Sequence, residues 1–192
     1  MAGAAATASA RRRGPDVVVL NGISSAGKST VARALQARLT QPYLIFGVDT
    51  LIDALPPAMT AHADGLVLQS DGRVQAGAGF TAIEDAWYTG LAATARAGVG
   101  LILDEVLLGG SRSQARLRAA LEGLHVAWIA VDCDVHVASR REGTRADRTP
   151  GMAAAQALLV HDGVNYDLRV DTCTHSPEAC AEQIRDGVAR DS

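Results

Sequence analysis

The chain has 192 residues, 48% of them apolar and 20% charged, with a formal net charge of −3; this allows one sizeable core and excludes bulk attraction to nucleic acid or an anionic membrane surface. An aromatic content of 4% speaks against a base-stacking platform for single strands. Three cysteines, Cys133, Cys173 and Cys180, without a CxxC spacing suit a reduced, cytoplasmic setting.

Residues 1–15 are rich in Ala, Ser and Arg and contain no acid, and Arg11 to Arg13 follow the small residues, the reverse of a secretory signal. They are expected to be a disordered tail, with a single domain over 16–192. The longest apolar runs, such as Val99 to Leu103 and Val126 to Val131, are too short to span a bilayer. Val17 to Leu20 reads as a strand buried on both faces, and a helix-favouring stretch begins at Lys28. Between them Gly22, Ile23, Ser24, Ser25, Ala26, Gly27, Lys28 and Ser29 fit the spacing GxxxxGK[ST], with Thr30 following. In that pattern successive backbone N–H groups line an anion nest at a helix N-terminus, the lysine reaches the β- and γ-phosphates, and the Ser29 hydroxyl binds Mg²⁺. A strand before and a helix after are the context the motif requires, so residues 22–30 are predicted to hold ATP and Mg²⁺.

Val31, Leu35 and Leu39 mark a helix over Ser29 to Leu39 that Pro42 ends, and Tyr43 to Val48 is a second strand, giving a βαβ unit. Asp49 then sits at that strand's carboxyl end, where ligands bind in open α/β sheets. A carboxylate there orients an acceptor hydroxyl and takes its proton, and aspartate is ionised at neutral pH without tuning. The plainer reading makes Asp49 the N-cap of a helix from Thr50, and the two roles can coexist. Asp53 would share its helical face. The apolar stretch Leu51 to Met59 suits an aromatic acceptor better than a polyol. Gly65 to Gly77 alternates around a Ser-Asp-Gly turn and reads as an inserted hairpin, either a cover for the acceptor site or a surface ornament.

Phe80, Ile83, Trp87 and Leu91 give a core face to a helix over Phe80 to Arg96. Val99 to Leu103 is a third strand delivering Asp104 and Glu105 to its carboxyl end, where an acid downstream of the phosphate loop serves a Mg²⁺ shell. Asp104 is the candidate partner of Ser29; the sequence does not decide between it and Glu105. Ser111 to Leu121 reads as a helix capped by Ser111, and Val126 to Val131 as the fourth strand. A helix from Val135 runs into Arg140, Arg141, Arg145 and Arg148, four arginines within nine residues. A solvated face is the bland account. A lid over the transferring phosphoryl group is the better one, because that charge needs cations in a closed site, and Arg141, Arg145 and Arg148 are its candidates. Met152 to Val160 reads as a helix, Tyr166 to Val170 as the fifth strand and Pro177 to Val188 as the final helix, with His161, Tyr166 and Asp167 structural. The pattern predicts an α/β fold of the P-loop NTPase type, a five-stranded parallel sheet flanked by helices with a small inserted hairpin.

With these residues in place the chain resembles the chloramphenicol phosphotransferase family of small P-loop kinases. The resemblance runs from about Val17 to Ile184 and shows in LNGISSAGKS, FGVDTLIDALP, GLVLQSDGRV, ILDEVLLGG, REGTRADR, GMAAAQ and VHDGVNYDLRVDT. It implies a fold like the nucleotide and shikimate kinases and ATP-dependent phosphorylation of the antibiotic's primary hydroxyl. Asp49 matches the family's proposed general base, and Arg145 and Arg148 fall on lid arginines that contact phosphate. It also suggests a self-resistance role in an actinomycete-like producer. The chain departs from the family pattern in its longer N-terminal tail, in Pro57 to Asp64 and in Gly143-Thr144 and Thr149-Pro150, which bears on the acceptor more than on kinase chemistry. The expected partner is a small-molecule hydroxyl acceptor, neither nucleic acid nor membrane, with a homo-oligomer and the choice of ATP or GTP left open. Competing readings are a metabolic kinase, a toxin-type kinase and a nucleotide-binding regulator without transfer.

Overall fold

A computed structural model describes residues 14–60, 62–144 and 150–189. In chain order the elements are β1 (Val17–Asn21), α1 (Lys28–Gln36), β2 (Tyr43–Gly47), α2 (Val48–Asp53), β3 (Leu66–Leu68), β4 (Val74–Ala76), α3 (Ala78–Arg96), β5 (Gly100–Glu105), α4 (Ser111–Ala120), β6 (Val126–Asp132), α5 (Val135–Gly143), α6 (Met152–Gln156), β7 (Leu168–Asp171) and α7 (Pro177–Val188). Every side chain of β1 is buried, which suits only the centre of a sheet covered on both faces. It is the middle of a five-stranded sheet of order β2-β5-β1-β6-β7, all pairs parallel. Alternate residues feed two cores. Val18, Leu20, Ile102 and Ile129 pack with Val31 and Leu35 of α1 and Ile184 of α7. Val17, Val19, Leu101, Leu103 and Trp128 pack with Tyr88 and Leu91 of α3 and Leu117 of α4.

The inserted hairpin forms as β3 and β4, antiparallel with Leu66 opposite Ala76. Its turn reaches further than a surface ornament would, for the backbone of Gly72 lies against Gly151 and Met152 at the far foot of the arginine segment.

Several boundaries differ from the sequence expectation. β5 continues past its apolar run because the ladder with β1 persists, pairing Leu20 with Asp104 and Asn21 with Glu105. α1 stops at Gln36 and the chain leaves by a turn in which Arg38 N donates to Leu35 O at 2.9 Å. α6 ends at Gln156 rather than Val160, and Leu158 beyond it is exposed. β7 begins at Leu168, because Tyr166 is turned into a polar network with Asn21 and His161. Ser111 is the first helical residue of α4, with Gly110 at the N-cap, and its N–H goes to Asp162 O at 2.8 Å. Residues 1–13 of the expected tail lie outside the described residues, while Pro15 is buried and its carbonyl accepts the Tyr43 hydroxyl at 2.5 Å.

The join of β2 to α2 fixes where Asp49 lies. Gly47 pairs with Asp104, and a Cβ built on Gly47 would sit 2.3 Å from the Asp104 carbonyl oxygen. The backbone there is extended, so glycine is required by closeness alone. Gly47→Ala is expected to push β2 off β5 and lower stability by about 1–3 kcal/mol in urea unfolding.

Candidate active site

Between β1 and α1 the chain takes left-handed backbone at Ser25 (φ 59°) and Gly27 (φ 91°), the kind of alternation that turns successive N–H groups into one concavity. Lys28 opens α1 and is 7% exposed, with its ammonium donating to Ile23 O at 3.0 Å and standing 3.8 Å from Asp104 Oδ1. The Ser29 hydroxyl donates to Asp104 Oδ2 at 2.5 Å. One carboxylate therefore balances the lysine and holds the serine. A hydroxyl and a carboxylate so placed are the hard-oxygen pair that suits Mg²⁺, which keeps waters and phosphate oxygens as its remaining ligands. Among the described residues Ser24 Oγ and Ser25 Oγ are buried without a hydrogen-bond partner, and phosphate oxygens would satisfy them. Gly22, Ile23, Ala26 and Thr30 complete the predicted loop around these groups.

Strand alternation sends Asp104 and Glu105 to opposite faces of the sheet. Asp104 faces α1, whereas Glu105 points to the α3 face, 1% exposed, with Oε2 accepting from Tyr88 OH at 3.3 Å. Its Oε1 has no partner among the described residues. Burial, reinforced by the charges of Glu84 and Asp104, pushes the Glu105 carboxyl up to about 8. Burial also raises Glu84, which the Arg116 guanidinium at 2.8 Å opposes. On the same side of the sheet Phe46 and Trp87 meet edge to face at 5.8 Å, and Trp87 Nε1 is a second buried polar atom unpartnered among the described residues.

Asp49 is exposed and lies in the first turn of α2, two residues after the Gly47 that pairs with Asp104. The N-cap position belongs to Gly47, so Asp49 does not cap the helix; its charge instead favours the positive helix end. Asp53 follows on the same short helix and is exposed.

Side chains that sequence reasoning missed brace the loop from outside. Gln156 Oε1 accepts from Ser24 N at 2.7 Å, and Thr172 Oγ1 donates to Ala26 O at 2.6 Å. Asn21 Nδ2 donates to Val160 O at 2.6 Å while its Oδ1 accepts from Leu107 N at 2.9 Å. Only Asn21, a polar residue ending an apolar strand, carried any signal. Arg141 extends from α5 to this brace, donating to Thr172 O at 3.0 Å and Thr172 Oγ1 at 3.3 Å. It lines a groove of about 290 Å³ with Gly27, Thr30, Thr172 and Pro177, beside the cradle and open to solvent. Arg145 and Arg148 lie outside the described residues. Among the described residues on either side of them, buried Glu142 accepts from Gly151 N at 2.9 Å and Ala153 N at 3.1 Å. His161 and Tyr166 bond at 2.7 Å, and Asp167 Oδ2 accepts from Trp128 N at 2.7 Å, all structural contacts.

A parallel sheet of this order, a lysine-serine cradle at its centre and an acid on the neighbouring strand define the P-loop kinase class. The model of the chloramphenicol phosphotransferase-like proteins matches residues 15–189, and the chain belongs to that family. It is thereby an enzyme of the phosphotransferase class. A Mycobacterium tuberculosis protein named "Putative O-phosphotransferase" is 27% identical over 185 residues, covering 88% of this chain and 80% of its own. Among solved structures, a sugar kinase from Janibacter sp. HTCC2649 aligns with TM-score 0.66 at 18% identity, over 88% of this chain and 92% of that one. The Mycobacterium tuberculosis APS kinase in complex with AMPPNP and APS aligns with TM-score 0.60 at 16% identity, over 91% and 97%. Both establish the fold. Among the described residues no helix is long and apolar enough to cross a membrane.

Glu105 makes stability depend on pH. Its folded pKa near 8 lies above its ordinary 4.5, so the folded state binds the extra proton and stability falls as pH rises between those values. Glu105→Gln should remove that slope, and the difference between wild type and variant in urea unfolding should amount to a few kcal/mol across the window.

Proposed function

We propose that the protein transfers the γ-phosphate of ATP to the hydroxyl of a small molecule, with the primary 3-hydroxyl of chloramphenicol or a related antibiotic as the leading acceptor. The observation that carries this reading is the pairing of Gly47 with Asp104, which sets the Asp49 carboxylate and the Lys28–Ser29 cradle along one edge of the sheet. An acceptor seated there has its oxygen held by Asp49 in line with the γ-phosphorus. The acceptor oxygen bonds to phosphorus, the bond to the β–γ bridging oxygen breaks, and Asp49 takes the hydroxyl proton late, which a weak base can do in a loose transition state. Lys28 and the arginines Arg145 and Arg148 neutralise charge on the bridging and equatorial oxygens. Ser29 and Asp104 would hold Mg²⁺, which would supply charge neutralisation for the transferring phosphoryl group. Arg141 flanks the groove beside Gly27 and takes the nucleoside end of ATP, where a guanidinium plane stacks on a base.

Support for an aromatic acceptor comes from the α3 side of the same edge. Phe46 and Trp87 form an apolar wall there, with Trp87 Nε1 buried and unpartnered among the described residues. The reach of the hairpin to Gly151 supports its reading as a cover over this region. Dependence on ATP and three free thiols suit the cytoplasm.

Incubation with ATP, Mg²⁺ and chloramphenicol is expected to give a phosphorylated product by mass spectrometry, and a 3-O-blocked analogue should give none. ATP turnover without that product would transfer the reading to another hydroxylated metabolite. Asp49→Asn should lower turnover by roughly 100-fold or more while leaving ATP affinity unchanged, and full retained turnover would remove the base assignment. Lys28→Ala should lose ATP binding and turnover together in calorimetry and assay.

A further inference from the structure

β6 and β7 are neighbours, with Asp132 paired to Asp171, so the residues that follow each strand emerge side by side at the carboxyl edge. Cys133 and Cys173 are among them. Their Sγ atoms are 3.2 Å apart, both are free thiols, and Cys173 is exposed while Cys133 is half-buried. Asp134 N donates to Cys173 Sγ at 3.3 Å, at the start of α5. Arg141 Nη1 stands 3.5 Å from Cys133 Sγ, and the same guanidinium holds Thr172, the residue that anchors the P-loop at Ala26. Two thiols in near contact thus lie within one side chain of the groove formed by Arg141, Thr172 and Gly27.

We propose that Cys133 and Cys173 are a dithiol site that a hydroperoxide oxidises to a disulfide, and that the disulfide weakens ATP binding in the adjoining groove. The effect on ATP rests on the nucleotide reading given above; formation of the disulfide does not. Cys173 reacts first. It is the exposed member of the pair, open to a peroxide from solvent. Its thiolate attacks one peroxide oxygen, the O–O bond breaks, the leaving oxygen takes a proton to become an alcohol or water, and Cys173 becomes a sulfenic acid. Cys133 keeps its proton until then, because burial and its hydrogen bond to Cys173 push its thiol up to about 11. Its sulfur then attacks the Cys173 sulfur, the S–O bond breaks, and hydroxide leaves with the Cys133 proton as water. Two thiols and one hydroperoxide give one disulfide, one alcohol or water, and one water.

The bond requires the sulfurs to close from 3.2 Å to about 2.05 Å. That closure draws the loop before α5 toward the loop before α7 and turns Cys133 away from Arg141. Arg141 on α5, Thr172 after β7 and Pro177 at the start of α7 all line the groove, and Arg141 is bonded to Thr172, so the closure reshapes the groove where the nucleoside would enter.

The test uses the full chain, reduced under nitrogen or treated with hydrogen peroxide that is then removed. Non-reducing peptide mapping should show the Cys133 and Cys173 peptides joined with the loss of two hydrogens. Calorimetry should show ATP affinity about fivefold or more weaker after oxidation, with tripolyphosphate affinity unchanged and ATP affinity restored by dithiothreitol. Cys133→Ser and Cys173→Ser should bind ATP like the reduced protein before and after peroxide. Absence of the joined peptide, or a disulfide with unaltered ATP affinity, would overturn the proposal. A reduced protein that fails to bind ATP would overturn the nucleotide reading and the effect on it, and the peptide map would still decide the dithiol by itself.

Discussion

The arrangement depends on burying one ammonium. Lys28 is 7% exposed at the centre of the sheet's carboxyl edge, and a charge in that position is tolerated only with close compensation. Ile23 O and the Asp104 carboxylate supply it. That single requirement explains why β5 runs beyond its apolar residues. The ladder must continue to Asp104 to bring the carboxylate opposite Leu20, and in doing so it also sets Gly47 against β5 and places Asp49. Structure and proposed chemistry share this register: the acid that makes the buried lysine affordable is the same one that positions Ser29.

Around this centre the loop is held by groups from distant parts of the chain. Gln156, Thr172 and Asn21 each bond a different stretch of backbone, Ser24 N, Ala26 O and the chain at Val160 and Leu107. The loop's left-handed residues are therefore fixed before any anion arrives, so less ordering is left for binding to impose. The foot of the arginine segment is fastened in the same way, through Glu142 to Gly151 and Ala153, with the hairpin turn at Gly72 against its far side. On the α3 side Glu105 and Trp87 leave buried polar atoms unpartnered among the described residues, as the Ser24 and Ser25 hydroxyls do within the loop.

Most of the sheet could be read along the chain because β1, β5 and β6 are buried on both faces and so appear as continuous apolar runs. The last helix was legible to its ends, since Ser176 caps it through Ala179 N and Pro177 opens it. Periodicity failed where tertiary partners end an element. Val160 continues the apolar pattern of α6, yet its carbonyl is taken by Asn21. Tyr166 looks like strand sequence, yet its hydroxyl meets Asn21 and His161. The cap assigned to Ser111 fell to Gly110 because the Ser111 N–H is satisfied by Asp162 from a later loop.

The sequence by itself determined the parallel α/β architecture, the phosphate cradle and the identity of its lysine and serine, because strand burial and the GxxxxGK[ST] spacing are local properties. It also placed Asp49 and Asp104 at strand ends. Only the tertiary structure decided that Asp104 and not Glu105 contacts Lys28 and Ser29, since that follows from which sheet face each side chain takes once the register is set. It alone brought Arg141 to Thr172 and Cys133 to within 3.2 Å of Cys173. Those contacts join residues some thirty to forty positions apart through the packing of β6 beside β7, and no periodicity within either segment encodes which strand will be its neighbour.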